Sequence, residues 1–323
     1  MYSKKYTKNS NYKAYNLLKE SFKKIFYKFF FLIISFFLRS NLPIFKKIIF
    51  ETYKKKSKYV LLDNEKEKYL LFTKDDVVSK NVFIENGFDL KKLYYVLEIL
   101  KDNYSINKIY DIGANIGSIC IPAVKRGLVD TAIAVEPEPE NFKLLNLNII
   151  LNNLSEKITI HNCALSFEEN NALELELSEN NSGDHRIRLL DTKKGVDNEK
   201  DRKTVKVNSK TFDSLFPSID PKKNLIWMDT QGFEANILLG AKKLISSGAP
   251  IVLEFWPYGL KLNNSFEKMK ELLKNFKSFY DLSDKSSKIQ TINETNINNL
   301  FSGWEEQKPG KDALFTDLLL LSD

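Results

Sequence analysis

The stretch from residue 106 to residue 136 constrains the fold more than any other part of the chain. An apolar run ends at Asp111, Gly113 and Gly117 follow it, and after a helical stretch a second apolar run ends at Glu136. Two apolar strands separated by a glycine turn and a helix are typical of a nucleotide-binding βαβ unit. The pattern therefore predicts a cofactor site at the carboxyl edge of an open α/β sheet.

The individual positions of this unit indicate what kind of cofactor it holds. Gly113 permits a tight turn and a close backbone approach to a ligand, and Gly117 lets the following helix pack near the strand. Glu136 ends the second strand, where a carboxylate accepts hydrogen bonds from ribose hydroxyls. Asn115 takes the place of the middle glycine of a dinucleotide fingerprint, and the loop opens with Asp111. This loop suits a cofactor with a cationic end better than a pyrophosphate.

From residue 105 onward the hydrophobic pattern alternates between strands and helices. The predicted strands are 108–112, 131–136, 157–163, 224–229, 250–255, 278–282 and 313–321. The predicted helices are 116–127, 138–152, 232–246 and 263–276. This alternation predicts a mostly parallel sheet with helices on both faces.

The long polar stretch 166–222 predicts an inserted hairpin-like unit above the sheet, because a structureless loop of that length is uncommon in a compact domain.

Several linked motifs resemble the FkbM-type branch of class I S-adenosylmethionine-dependent methyltransferases. The motifs are Asp111-x-Gly113-x-Asn115-x-Gly117, then Val135-Glu136-Pro137-x-Pro139-x-Asn141-Phe142, and Asp229-Thr-Gln-Gly232-Phe-Glu234 with Gly240-Ala241 and Pro250-Ile-Val-Leu-Glu254 after it. The resemblance covers roughly residues 105–322. It implies a Rossmann-like class I methyltransferase sheet whose last strand is antiparallel, and S-adenosyl-L-methionine as the cofactor.

The resemblance also implies which residues bind the cofactor. Asn162 and Ala164 end the predicted third strand beside the expected adenine, where backbone and shape would recognise the base. The predicted cofactor-binding residues are Asp111, Gly113, Asn115, Gly117, Glu136, Asn162 and Ala164.

Methyl transfer to a hydroxyl needs a base, and three residues are predicted to be catalytic. Asp229 ends a strand at the carboxyl edge of the sheet, although an aspartate there also suits a helix N-cap. His185 is the histidine of the polar insertion, with a near-neutral pKa that suits a proton acceptor; an exposed loop histidine is the alternative. Glu234 lies in the first turn of a helix, where the dipole alone would favour a carboxylate. Asp184 and Glu254 are further candidates.

Charge divides the chain into unlike parts. The whole chain carries a net charge of +7, yet residues 1–60 contain 15 Lys and Arg against two acids. We therefore predict a basic N-terminal tail with an apolar or amphipathic helix in residues 1–60, an entry region that packs on the catalytic domain in residues 61–104, and a methyltransferase domain in residues 105–323. Two cysteines make no disulfide framework or zinc site, which favours a reducing cytoplasm and predicts no metal.

The apolar stretch 25–38 of the N-terminal part has three interpretations: an interfacial helix, a helix packed on the catalytic domain, or a signal anchor. Its uncharged part, residues 29–38, is half the ~20 residues that span a bilayer. The basic flanks within residues 25–47 favour an anionic leaflet and predict peripheral contact with the inner face of a membrane. Nothing in the sequence resembles a nucleic-acid recognition module, so no nucleic-acid partner is expected.

Together these features predict an S-adenosylmethionine-dependent methyltransferase. The resemblance implies O-methylation of a small-molecule or glycan acceptor, on a hydroxyl of a sugar or a secondary metabolite, as in polysaccharide biosynthesis. Two alternatives stay open. A nicotinamide-dependent oxidoreductase is disfavoured because the chain lacks G-x-G-x-x-G. A membrane-surface binding protein without turnover is disfavoured because it has no physical need of Asp111, Gly113, Gly117 and Glu136.

Overall fold

The computed structural model describes residues 20, 23–29, 32, 42–187, 202–283, 288–305 and 315–322. The chain forms two compact units, residues 1–52 and residues 53–323. In the first unit residues 23–29 are helical, and the helix α1 (Pro43–Lys54) begins there. None of the described helices is long and apolar enough to cross a membrane.

The second unit opens with a hairpin and two helices. Strands β1 (Tyr59–Asp63) and β2 (Lys68–Phe72) pair antiparallel, and α2 (Val78–Glu85) and α3 (Leu90–Leu100) follow. The Asp75 carboxylate accepts the backbone N–H groups of residues 77, 78 and 79 at 2.9 to 3.1 Å, so it satisfies donors at the start of α2 that have no intrahelical partner.

An eight-stranded sheet forms the centre of this unit. Its order is β13-β12-β14-β11-β10-β3-β4-β5. The strands are β3 (Lys108–Ile112), β4 (Thr131–Val135), β5 (Ile158–His161), β10 (Asn224–Met228), β11 (Ile251–Phe255), β12 (Ser278–Asp281), β13 (Gln290–Thr291) and β14 (Thr316–Leu321). The pairs from β11 to β5 are parallel, whereas β14 is antiparallel to both of its neighbours.

This sheet confirms the predicted fold class, a mostly parallel Rossmann-like sheet whose last strand is antiparallel. All five residues of β10 and of β11 are buried, as expected for central parallel strands that are covered on both faces. Residues 313 and 314 of the predicted last strand lie outside the described residues.

Helices cover the sheet, and two of them differ from the predicted spans. The helices are α4 (Cys120–Lys125), α5 (Pro139–Leu151), α6 (Phe212–Leu215), α7 (Glu234–Leu239), α8 (Lys242–Ser247), α9 (Pro257–Leu262), α10 (Phe266–Leu273) and α11 (Glu294–Glu305). The predicted helix 116–127 begins only at Cys120, because the residues before it form the glycine loop. The predicted helix 232–246 is two helices that separate at Gly240, where a Cβ would lie 2.2 Å from the Ser166 carbonyl oxygen.

The polar insertion folds into a second, four-stranded sheet of order β6-β9-β7-β8, as the predicted hairpin-like unit requires. Its strands are β6 (Ala164–Leu165), β7 (Ala172–Glu176), β8 (Arg186–Ile187) and β9 (Thr204–Lys210). Strands β7 and β9 pair antiparallel. A short 3-10 turn, Ser182–Asp184, precedes β8 and was not expected from the pattern.

Candidate active site

Two cavities lie where β3 and β10 end, and both are lined by Gly113, Asn115, Asp229 and Gln231. We name them the inner and the outer cavity. The inner cavity measures about 50 Å³ and extends to the ends of β4 and β6 and to the insertion. The outer cavity measures about 590 Å³ and extends to α3, β11 and β14. A volume of that size is within the range of small-molecule sites.

The glycine loop after β3 forms the shared wall of the cavities. Gly113 has φ +87°, and a Cβ there would lie 1.9 Å from the carbonyl oxygen of Asp229. Gly117 has φ +89°, and its Cβ would lie 2.6 Å from Ile121 Cδ1. The N–H of Cys120 donates to the Asp111 carboxylate at 3.0 Å, and burial raises the pKa of Asp111 to about 6. The loop therefore fits only glycine at position 113 and carries a buried acid beneath it.

Glu136 ends β4 and lines the inner cavity. Its two carboxylate oxygens accept the N–H groups of Asn115 and Glu138, both at 2.8 Å. Burial raises its pKa to about 8 despite these hydrogen bonds. The carboxyl group thus holds the glycine loop in position while it faces the cavity.

We expect the buried Glu136 to make stability depend on pH. Its pKa rises from 4.5 to about 8 on folding, so the folded chain holds a proton that the unfolded chain releases between these values. This stability contribution is complete below pH 4.5 and is lost as the pH rises through 8. In Glu136→Gln, the fall in the free energy of unfolding between pH 5 and pH 8 should be smaller by about 3 kcal/mol, measured by urea unfolding. An unchanged difference between the two pH values would contradict a buried, proton-binding Glu136.

Ser182 joins the insertion to three distant segments, an arrangement that we name the Ser182 clasp. Its hydroxyl donates to Asp75 at 2.6 Å, and its carbonyl accepts the side-chain amides of Asn115 at 2.8 Å and Asn141 at 3.3 Å. The clasp closes the insertion over the glycine loop and leaves the inner cavity small.

Asp229 is partly buried at the junction of the two cavities and lies beside the buried carboxyl groups of Glu254 and Asp317. The Gln231 side-chain amide donates to Asp229 at 2.7 Å and to both oxygens of Glu254 at 3.0 and 3.1 Å. Burial, and next the negative charge of Asp317, raise the pKa of Asp229 to about 7. Lys92 forms ion pairs with Asp317 and, at 3.1 Å, with Asp89.

His185 lines the inner cavity, but its geometry does not favour the predicted role of proton acceptor. Its Nδ1 accepts the N–H of Ser178 at 3.0 Å, so in the neutral ring the proton is on Nε2. Burial lowers its pKa to about 4. The ring is therefore a hydrogen-bond donor toward the cavity and a poor base.

This assignment predicts a mild effect for His185→Asn, whose Oδ1 can replace Nδ1 as the acceptor for Ser178. We expect the methyl-transfer rate to stay within about threefold of the native rate, since the ring takes up no proton. The pH dependence of kcat should also be unchanged. A loss of a hundredfold or more would restore His185 as the base.

The geometry of Glu234 likewise does not favour its predicted catalytic role. Its Oε1 accepts the N–H and the hydroxyl of Thr230 at 2.8 and 2.9 Å, its side chain is fully buried, and it lines neither cavity. Burial raises its pKa to about 7. The carboxyl group thus shapes the loop after β10, a structural role.

The remaining predicted residues occupy different positions. Ala164 lines the inner cavity beside Leu165. Asn162 is exposed, and its amide donates to the backbone carbonyls of Glu136 and Pro137 at 2.8 and 3.2 Å, so it orients the end of β4. Asp184 lines the outer cavity and is held by Arg202, with Arg186 at 3.5 Å.

The sequence interpretation missed several residues of the site: Asp75, Lys92, Ser182, Gln231 as a bridge, and Asp317. The sequence could have indicated Asp317 as a site residue, because it is an acid within an otherwise apolar strand. Strand pairing places it opposite Glu254.

These features together define a class I S-adenosylmethionine-dependent methyltransferase: the sheet order with an antiparallel β14, the glycine loop after β3 and the acid at the end of β4. The sequence model of the FkbM methyltransferase domain matches residues 111–280. That match spans more than half of the chain, so the chain belongs to the FkbM methyltransferase family, and its cofactor is S-adenosylmethionine.

Solved methyltransferase structures resemble the chain at low similarity. TYW2 from P. horikoshii, in complex with MeSAdo, has 15% identity over 82% of this chain and 72% of that chain, with a TM-score of 0.37. A precorrin-6y C5,15-methyltransferase from Geobacter metallireducens has 13% identity over 72% of this chain and 87% of that chain, with a TM-score of 0.34. Similarity this low carries no argument about the acceptor. No curated protein matches the sequence significantly.

The residues present fit the cofactor. Gly113 lines both cavities without a side chain, the buried acids Asp111 and Glu136 flank the loop, and Ala164 offers a small apolar contact. We infer that Glu136 and Ala164 serve the adenosine end. In that arrangement Asp111 and Asp229 would provide negative charge for the cationic sulfonium, which would favour their ionised forms.

Proposed function

We propose that the protein transfers a methyl group to a hydroxyl of a sugar or of another small hydroxylated metabolite, with Asp229 as the base. One observation carries this proposal. Asp229 is partly buried where the inner and outer cavities meet, and its raised pKa of about 7 is close to the optimum for a general base at neutral pH.

Different residues have different roles in the proposed reaction. The cofactor, when bound, supplies an electrophilic methyl group on its sulfonium. Gln231 holds Asp229 and Glu254 in fixed positions through its side-chain amide. Asp229 takes the proton of the acceptor hydroxyl as the oxygen attacks. The enclosing insertion orients the reactants and excludes water, which contributes to catalysis through positioning.

The charge of the outer cavity supports a neutral acceptor. Six carboxylates line it: Asp89, Asp111, Asp184, Asp229, Glu254 and Asp317. The cations among the described lining residues, Lys92 and Arg186, lie beside some of these acids in ion pairs. Burial favours the neutral form of Glu254 by raising its pKa well above the usual value, but the other acids still outnumber the two cations. A phosphate group would therefore meet net repulsion, which argues against nucleic acids and phosphorylated sugars as acceptors.

The aromatic wall of the outer cavity supports a hydroxylated ring. Trp227, Trp256 and Phe88 line it. Trp256 is 7% exposed, and its indole N–H has no hydrogen-bond partner among the described residues. The aromatic faces that line the cavity suit contact with the apolar face of a ring.

The test begins with calorimetric titration of the full chain with S-adenosylmethionine, S-adenosylhomocysteine and NADH, alongside Glu136→Ala. We expect the first two to bind at micromolar Kd and the variant to lose this binding. The loaded enzyme is then offered neutral sugars, sugar phosphates and a short RNA, and methylated products are detected by mass spectrometry. Methylation of neutral sugars or other neutral hydroxylated metabolites is expected.

Other outcomes select the alternatives. Binding of NADH alone would replace the proposal with an oxidoreductase. Cofactor binding with no turnover on any hydroxylated acceptor would favour a binding protein that retains the fold. Methylation of the RNA would overturn the electrostatic argument and make a nucleic acid the acceptor.

A further inference from the structure

The helical segment at residues 23–29 is fully exposed to solvent. Every described residue between 20 and 32 is exposed. Five large apolar residues are among them: Ile25 at 65%, Phe26 at 57%, Tyr27 at 67%, Phe29 at 62% and Leu32 at 66%. So dense a group of exposed apolar side chains marks an interaction surface.

Charged residues on the same segment restrict what this surface can contact. Ile25 and Phe29 are four residues apart, which places them on one face of the helical segment, and Leu32 continues the helical spacing in the sequence. Lys24 and Lys28 form the adjacent row, four residues apart, and both are exposed. Lysine side chains beside an apolar face extend their ammonium groups toward a polar boundary while their stems cover apolar surface.

The start of α1 repeats this combination. Leu42, Ile44 and Ile48 are 53%, 61% and 57% exposed, and Lys47 is exposed beside them. The sequence of residues 1–60 contains 15 basic residues against two acids. Apolar and positively charged side chains therefore occur together over the whole described part of the first unit.

We propose that residues 23–29, 32 and 42–48 form a membrane-docking surface that lies in the headgroup region of an anionic bilayer. Charge complementarity selects this partner, because anionic headgroups attract lysines while the acyl boundary accepts the apolar face. A neutral apolar protein surface would not use the lysines, and a nucleic acid would not use the apolar face. The proposal is independent of the methyl acceptor.

The test is vesicle flotation of the full chain with neutral phosphatidylcholine vesicles and with vesicles that contain about 30% phosphatidylglycerol. The native chain should float with the anionic vesicles, and higher salt should weaken this binding. A triple variant should lower the vesicle partition coefficient of the protein by about a hundredfold or more. It carries Lys23→Glu, Lys24→Glu and Lys28→Glu. The control triple variant makes the same charge change at exposed positions of the second unit, with Lys157→Glu, Lys268→Glu and Lys277→Glu. It should bind the anionic vesicles as the native chain does.

A second variant separates insertion from simple adsorption. Ile25→Ser, Phe29→Ser and Leu32→Ser combined keep every lysine, so the remaining vesicle binding should disappear at high salt. All substituted side chains are exposed, so far-ultraviolet circular dichroism should be unchanged for every variant. The proposal fails if the native chain floats with neither vesicle, or if the control triple lowers binding as much as the N-terminal triple. It also fails if the serine variant loses self-association but keeps its binding to vesicles. The apolar side chains would then contact a second copy of the chain and not a membrane.

Discussion

Gly113→Ala is expected to abolish measurable cofactor binding. The added Cβ would lie 1.9 Å from the Asp229 carbonyl oxygen, at a residue with φ +87°. Neither residue 113 nor the Asp229 carbonyl group can move without a large cost in free energy, because both belong to the backbone at the ends of central strands. The left-handed conformation and the overlap together should lower the free energy of unfolding by at least about 3 kcal/mol. Denaturant unfolding and titration with S-adenosylmethionine measure the two effects.

Gly127→Ala is the matched control for this substitution. Gly127 also has a left-handed backbone, with φ +68°, but a Cβ there would meet no atom within 4 Å. We expect the free energy of unfolding to fall by about 1 kcal/mol and the cofactor Kd to stay unchanged. Equal loss of cofactor binding in both variants would show that backbone strain alone, without the contact at Asp229, accounts for the effect.

Asp229→Asn is expected to lower kcat by about 10² to 10⁴-fold, the usual contribution of a general base. The substitution keeps the shape of the side chain and can keep the hydrogen bond from Gln231. The Kd for S-adenosylhomocysteine should change little, because this product carries no sulfonium charge. Stopped-flow binding and single-turnover methyl transfer separate these two quantities.

The pH dependence gives a sharper test of the same role. A base works in its ionised form, and the pKa of Asp229 is about 7, so the native rate should rise with pH and level off above 7. The profile of Asp229→Asn should be flat over this range. Bound sulfonium favours the carboxylate and should move the midpoint of the native profile for kcat below that for kcat/KM. A native profile that falls as the pH rises would rule out Asp229 as the base.

Local sequence patterns were enough to locate the cofactor side of the site. The apolar runs and the glycines that fix β3, β4 and the loop between them lie within about thirty residues, so their arrangement follows from strand and turn geometry alone. The same holds for Asp229, because a strand end at the carboxyl edge is visible as an apolar run that stops at an acid.

The lining of the outer cavity, which we propose as the acceptor side, could not be predicted in this way. Its charge depends on the antiparallel register that brings Asp317 opposite Glu254. It also depends on the ion pair between Lys92 and Asp317, which are 225 residues apart in the chain. The role of His185 likewise depends on which ring nitrogen the backbone of Ser178 contacts. Residue type and spacing carry no information about such orientations.

The Ser182 clasp has a consequence for how the enzyme acquires its activity as it folds. Its hydrogen bonds join Ser182 to Asp75, Asn115 and Asn141 across 107, 67 and 41 residues of chain. Contacts of such long sequence separation form late, because loop closure costs entropy before the contacts compensate for it. We therefore expect the closed cofactor site to form late in folding, together with other long-range contacts such as the pairing of β3 with β10. In refolding experiments, S-adenosylhomocysteine binding should appear with the slowest phase, after the hairpins and helices have gained their circular dichroism.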